Sequence, residues 1–195
     1  MTGIGHNNGP SMEPGAGFRR HAWGKARREL LPRMPLEVIN MRMRRAQALG
    51  LDFRTYATVR AATGRDVIAF LFSSNALVMI RPGAPIPENR AAKVASIKNC
   101  ARHLAVHGAA ALAPAARTAA AAGVDFDGIR ALPPFSTPWA GLRDDVKSWL
   151  AAEAIPGDAV LMIGETAFER EIATAGGLAG FVTGDRYFAA GDAAQ

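Results

Sequence analysis

The sequence predicts an α/β fold: a small parallel Rossmann-like sheet flanked by helices, with a basic helical extension on its N-terminal side. Three observations predict it. Two runs, Val67-Ile68-Ala69-Phe70-Leu71-Phe72 and Ala159-Val160-Leu161-Met162-Ile163, are continuously apolar over strand length, as in strands buried on both faces of a parallel sheet. Stretches of helical length separate them, which produces the alternation of helix and strand typical of α/β proteins. The charge also changes along the chain. Residues 1–65 hold 12 Lys and Arg against 4 Asp and Glu, whereas residues 66–195 hold 11 against 13. A chain of 195 residues suits one core with an appendage, and a hydrophobic fraction of 49% excludes wholesale disorder.

Residues 1–16 are rich in Gly, Asn and Pro without periodicity and predict a flexible tail. Within them Ile4-Gly5-His6-Asn7-Asn8-Gly9-Pro10 resembles a leader seen on bacterial and phage-encoded proteins. Residues 17–64 read as a basic helical segment. A first helix over 18–31 stops before Pro32 and Pro35. A second carries Leu36, Ile39, Met43 and Ala46 as one apolar stripe and closes at Gly50 in a left-handed cap. Asp52 caps a third helix, which shares Phe53, Tyr56 and Val59 on one face and stops at Gly64.

The α/β domain is expected over 65–190, with a flexible terminus at 191–195. After the first apolar strand comes a helix over 88–99 with Val94 and Ile97 on one side. His103-Leu104-Ala105-Val106 reads as a short strand. Residues 109–122 contain 10 alanines in 14 positions, a tightly packing helix interrupted at Pro114. A loop marked by Pro133, Pro134 and Pro138 leads to a helix over 138–154. The second apolar strand then turns at Gly164 into a helix from about Ala167.

Several function classes are excluded. One cysteine, Cys100, rules out a disulfide framework or a thiolate-only zinc cluster. No apolar run approaches the roughly 20 residues that span a bilayer, and the first residues lack a signal-peptide core. A cytoplasmic protein without a membrane partner is the expectation. No P-loop or G-x-G-x-x-G follows a strand, so nucleotide binding has no motif support.

Ligand groups in open α/β sheets gather at the carboxyl ends of the strands. Those ends read Phe72-Ser73-Ser74-Asn75-Ala76-Leu77 and Ile163-Gly164-Glu165-Thr166-Ala167-Phe168-Glu169. The second resembles the last motif of the haloacid dehalogenase-like superfamily: an apolar strand, a glycine, an acid, three residues and another acid. Its continuation, Arg170 to Gly176, resembles that family's following helix, and the first segment resembles the opening Asp-x-Asp-x-Thr motif. The resemblance implies a Rossmann-like sheet and Mg²⁺-dependent phosphoryl transfer through an aspartyl-phosphate. Ser73 stands where the nucleophilic aspartate would be, Asn75 where the general acid/base would be, and Leu77 replaces the threonine. Serine is a poor nucleophile without a neighbouring base, and asparagine cannot shuttle a proton. The resemblance therefore implies a pseudoenzyme, a non-catalytic binding or regulatory protein. Its ligand site is Ser73, Asn75, Lys147, Gly164, Glu165 and Glu169, with Lys147 as phosphate-neutralising residue. No cofactor is expected beyond the Mg²⁺ that Glu165 and Glu169 would attract, weakened by the neutral Ser73. A bland alternative reads Gly164 as a plain strand-to-helix turn whose first-turn carboxylates favour the helix dipole.

Residues 45–60 offer a competing reading. Ala46, Gly50, Leu51, Tyr56 and Val59 match the small, glycine and apolar positions of a helix-turn-helix. Arg45 stands where an aliphatic side chain is usual. Such a module would present Arg54, Thr58 and Arg60 to a major groove and set Arg42 and Arg44 near phosphates. A helical subdomain packed on the sheet accounts for the same pattern. An enzyme of another class, with Ser73, Asn75 and Glu165 at the strand ends, is the third reading. Cys100, His103 and His107 invite a metal reading only if a helix runs through them. The strand expected at 103–106 breaks that register, so a core cysteine and two ordinary histidines are expected.

Overall fold

The computed structural model describes residues 34–81 and 83–189. The expected tail over 1–16, the helix over 18–31 and the terminus over 191–195 lie outside them. Two helices come first, α1 (Leu36–Ala48) and α2 (Phe53–Thr63). Gly50 between them has φ +66°, as the left-handed cap requires. Asp52 caps α2, its carboxylate accepting from the Thr55 N–H at 2.8 Å, and Gly64 closes it at φ +72°. The stripe expected on α1 is corrected in part. Ala46 is buried, but Leu36 and Met43 are exposed.

Five parallel strands follow: β1 (Ala69–Ser73), β2 (Ala101–His107), β3 (Gly128–Leu132), β4 (Val160–Gly164) and β5 (Gly180–Thr183). The helices between and after them are α3 (Glu88–Ala95), α4 (Leu112–Ala121), α5 (Trp139–Ala152), α6 (Ala167–Gly176) and α7 (Gly184–Ala189). The strand order is β3-β2-β1-β4-β5, so the α/β class with a small Rossmann-like sheet is what the chain forms. The chain leaves β1 toward β2 and β3, then returns to lay β4 on the other side of β1. A crevice opens at such a reversal. The register pairs Phe72 with Leu104 and with Ile163, which aligns the carboxyl ends of β1, β2 and β4.

Alternation along the strands makes two cores. Phe70, Phe72, Leu104, Val106, Leu161 and Ile163 face α2, α3, α4 and α7, including Tyr56, Val59, Val94, Tyr187 and Phe188. Leu71, Ala105 and Met162 face α5 and α6 through Leu142, Val146, Leu150 and Ile172. Burial on both faces is why these strands read as unbroken apolar runs.

Three expectations change. Strands β3 and β5 are absent from the sequence reading, because each is a short sheet edge with mixed or partial burial. The helix expected over 88–99 ends at Ala95, and Asn99 has φ +53° on the way into β2. Pro114 does not interrupt the alanine-rich helix. It is the third residue of α4, where the backbone N–H has no intrahelical acceptor to lose.

Candidate functional site

The site is built around one carboxylate. Thr166 caps α6 and Glu169 is the third helical residue, so a capping box forms. Glu169 Oε2 accepts from the N–H groups of Glu165 at 2.7 Å and Thr166 at 2.9 Å. Its Oε1 accepts from Asn75 Nδ2 at 3.0 Å and lies 2.8 Å from His107 Nε2. The Ser73 side chain also favours the ionised form of this carboxylate. Glu169 is fully buried. Burial pushes its carboxyl upward, but the hydrogen bonds from His107 and from the Thr166 and Glu165 backbone, with the Ser73 side chain, outweigh it and hold the pKa at about 2. The group is an anion held in place by the carboxyl ends of β1, β2 and β4.

Of the sequence-predicted residues, Ser73, Asn75, Gly164 and Glu169 meet here, whereas Glu165 and Lys147 do not join them. Ser73 is fully buried, and its Oγ accepts from the Ala76 N–H at 3.0 Å, so the hydroxyl is held inward. Asn75 touches Glu169 directly. Gly164 is tight: a Cβ there would lie 2.6 Å from Phe181 and 2.9 Å from Glu169 Oε2. Glu165 points away from this cluster toward α7, where it accepts from the Asp185 N–H at 3.1 Å. Burial and the neighbouring Asp185 raise its pKa, partly offset by that hydrogen bond and by Arg90. Arg90 lies 3.1 Å from Asp185 Oδ1 and 3.9 Å from Glu165 Oε1, over the Phe188 ring. Lys147 is exposed on α5, and no hydrogen bond or ion pair among the described residues joins it to the strand ends.

His107 is the residue the sequence reading passed over. It was grouped with Cys100 and His103, yet β2 places the three differently. Cys100 precedes the strand, and burial pushes its thiol up to about 12. His103 is buried against Trp149, ring to ring at 5.2 Å. His107 ends the strand just before Gly108, and that end position is the signal that marks it. Its ring stacks on the exposed Phe135 at 5.4 Å and 7°, and Phe135 leans on Phe168 at 4.7 Å.

Two cavities meet at His107. One of about 80 Å³ is lined by Ser74, Asn75, Met79, Arg81, Val106 and His107 among others. The other, more open, runs along Gly108, Leu132, Pro133, Pro134 and Phe135 and is mostly apolar. The first holds about six waters or a fragment of similar size.

The Mg²⁺ implied by the resemblance does not fit these donors. A carboxylate has about four lone-pair positions, and those of Glu169 are taken by protein donors. Ser73 is neutral and turned inward, which leaves only Glu165. Among the described residues no three His, Cys, Asp or Glu side chains are grouped to hold a metal ion.

The residues of the helix-turn-helix reading are also placed. Arg54 and Thr58 are exposed on α2, Arg44 is exposed on α1, and Arg60 lies 3.8 Å from Asp66. Thr55, Tyr56 and Val59 on the same helix are buried against the sheet. Among the described residues no acid pairs with Arg54. Arg45 pairs with one instead, at 2.9 Å from Asp66. None of the helices among the described residues is long and apolar enough to cross a membrane. No protein-family model matches the chain, and neither a curated protein nor a solved structure is significantly similar to it.

Proposed function

We propose that this is a binding or regulatory protein, a degenerate haloacid dehalogenase-like domain without phosphoryl-transfer chemistry, whose small ligand seats at the carboxyl ends of β1, β2 and β4. The observation that supports the reading is the buried Glu169 carboxylate, which fixes Asn75 and His107 on the wall of a cavity at the sheet reversal. Preorganised polar groups beside an apolar groove are the common make-up of small-molecule sites. Against catalysis of the family type stands Ser73, whose inward hydroxyl has no route to a substrate. Titration of labelled protein with a fragment library, followed by NMR, tests the binding reading. Compounds should perturb Asn75, His107 and Phe135 together, and His107→Ala should abolish the response. Magnesium-dependent turnover of an aryl phosphate, lost in Glu165→Ala, would overturn the non-catalytic half.

A second reading, duplex DNA binding through α1 and α2, is supported by one observation. Arg54 and Thr58 border a groove with Arg186 along β5, and no carboxylate pairs with Arg54 among the described residues. Such binding would weaken steeply between about 50 and 200 mM salt, and Arg54→Ala would lower sequence preference. Absence of any gel shift at low salt eliminates it.

A further inference from the structure

The Glu169 carboxylate does more than anchor its neighbours, because it also decides which of their atoms remain for a ligand. An ionised carboxylate only accepts hydrogen bonds. Asn75 must therefore present its Nδ2 to Oε1, and His107 must present an Nε2–H to the same oxygen. That leaves Asn75 Oδ1 and, in the neutral imidazole, His107 Nδ1, both acceptors. No described residue donates to either, and neither is among the unpartnered polar atoms sealed from solvent. Both side chains line the same cavity, with Ser74 beside them.

We infer that this site recognises its ligand by the ligand's own hydrogen-bond donors: a small molecule carrying two neighbouring N–H or O–H groups, such as a primary carboxamide or a diol, with a planar apolar body. The apolar body has its place along Pro133, Pro134 and Phe135, where the second cavity adjoins His107. Arg81, exposed where it lines the first cavity, suits an acceptor on the ligand's outer end. The assignment rests on the binding reading above but sharpens it against the phosphate that the family resemblance implies. A phosphate or carboxylate at the inner wall would set its oxygens against two acceptors and leave them unpaired, which costs as much as the bonds would contribute.

The pair benzamide and benzoate tests this, since the two share a shape and differ in donors. Nitrogen-15 NMR of the full chain at about pH 8 reads directly which ring nitrogens of His107 carry a proton. Nε2–H with a bare Nδ1 is expected, and Nδ1–H would overturn the proposal. Benzamide is expected to shift the Asn75 amide and His107 ring signals at concentrations about tenfold below any benzoate effect. Benzoate binding there as tightly overturns the donor rule while leaving the crevice as a ligand site. Silence from a whole fragment library removes the crevice itself. Glu169→Gln provides the reversal. The backbone N–H groups of Glu165 and Thr166 keep the glutamine oxygen, so its amide faces Asn75 and His107, both of which turn their donors outward. The variant is expected to prefer benzoate. Should it fail to fold, Asn75→Ala serves instead. Benzamide weakens about tenfold there while the His107 tautomer stays as in the parent, and unchanged benzamide binding overturns the proposal.

Discussion

Arg45 shows how a residue that breaks one pattern can complete another. It stands where a helix-turn-helix would bury an aliphatic side chain, and its guanidinium is spent on the protein itself. Nε donates to Asp66 Oδ2 at 2.9 Å, while Nη1 and Nη2 reach the carbonyls of Val67, Lys98 and Asn99 between 2.8 and 3.2 Å. Those carbonyls lie just ahead of β1 and β2, so one side chain ties α1 to the entrance of two strands. Asp66 is also held by the Tyr56 hydroxyl at 2.9 Å and by the Val67 N–H. Arg45→Met keeps the stem and removes the fork. It is expected to destabilise the fold by about 2 kcal/mol, less than a deeply buried pair because Asp66 is a third exposed. Chemical denaturation measures this, and an unchanged midpoint would show that the fork contributes nothing. Nothing in the local sequence marks Arg45 for this role, since its acceptors lie 21 to 54 positions away.

At the scale of elements, a tight constraint is the crossing of α5 and α6. A Cβ on Gly176 would lie 2.7 Å from Val146 Cβ and would overlap its Cγ1, so the two helices approach at a distance only glycine permits. Gly176→Ala is expected to cost about 1–3 kcal/mol through overpacking. Adding Val146→Ala should recover part of it, a coupling that a double-mutant cycle reads directly. Legibility follows burial. The central strands β1 and β4 are buried at every residue and stand out as apolar runs. Edge strand β3, Gly128-Ile129-Arg130-Ala131-Leu132, is half-buried and carries an arginine that pairs with Asp145 on α5, so its composition is that of a loop. Edge strand β5 has four residues, too few for a period. The capping box of α6 was legible as a first-turn acid on a helix dipole. The family resemblance set Asn75 and Glu169 in one ligand site, but that this carboxylate would hold both Asn75 and His107 was not legible, because they reach it from the turn after β1 and from the end of β2.

At the scale of the whole molecule, His103 and Glu169 are buried groups among the described residues that make stability fall on the acid side. His103 is 2% exposed with neither ring nitrogen paired, and Gly128 passes so close that a Cβ there would sit 2.9 Å from Nδ1. Burial holds its pKa below 6.5, against the pull of Glu153 and Asp127. The unfolded chain takes up a proton that the folded chain refuses. The neutral imidazole's contribution is therefore intact above pH 6.5 and is lost as the pH falls below it. Glu169 acts in a lower window. With the folded value at about 2 against 4.5, its contribution is intact above pH 4.5 and fades toward about 2. The full loss is on the order of 3 kcal/mol. Denaturation midpoints measured across pH should fall in two stages. His103→Phe keeps the ring contact with Trp149 and should erase the first stage alone. A curve unchanged by that substitution would assign the upper stage elsewhere.

What the amino-acid order determined by itself is the class of the molecule and its inner strands. Continuous burial on two faces leaves an unbroken apolar signature, and glycines at 50 and 64 or an aspartate at 52 act through bonds to their own neighbours. Tertiary structure decided everything that depends on residues meeting from afar: the order of the strands, both sheet edges and the conversion of Glu169 from a helix cap into the centre of a site. The physical reason is range. Periodicity and capping are forces between residues a few positions apart, whereas the bond from Asn75 to Glu169 spans 94 positions and exists only once β1 and β4 lie side by side.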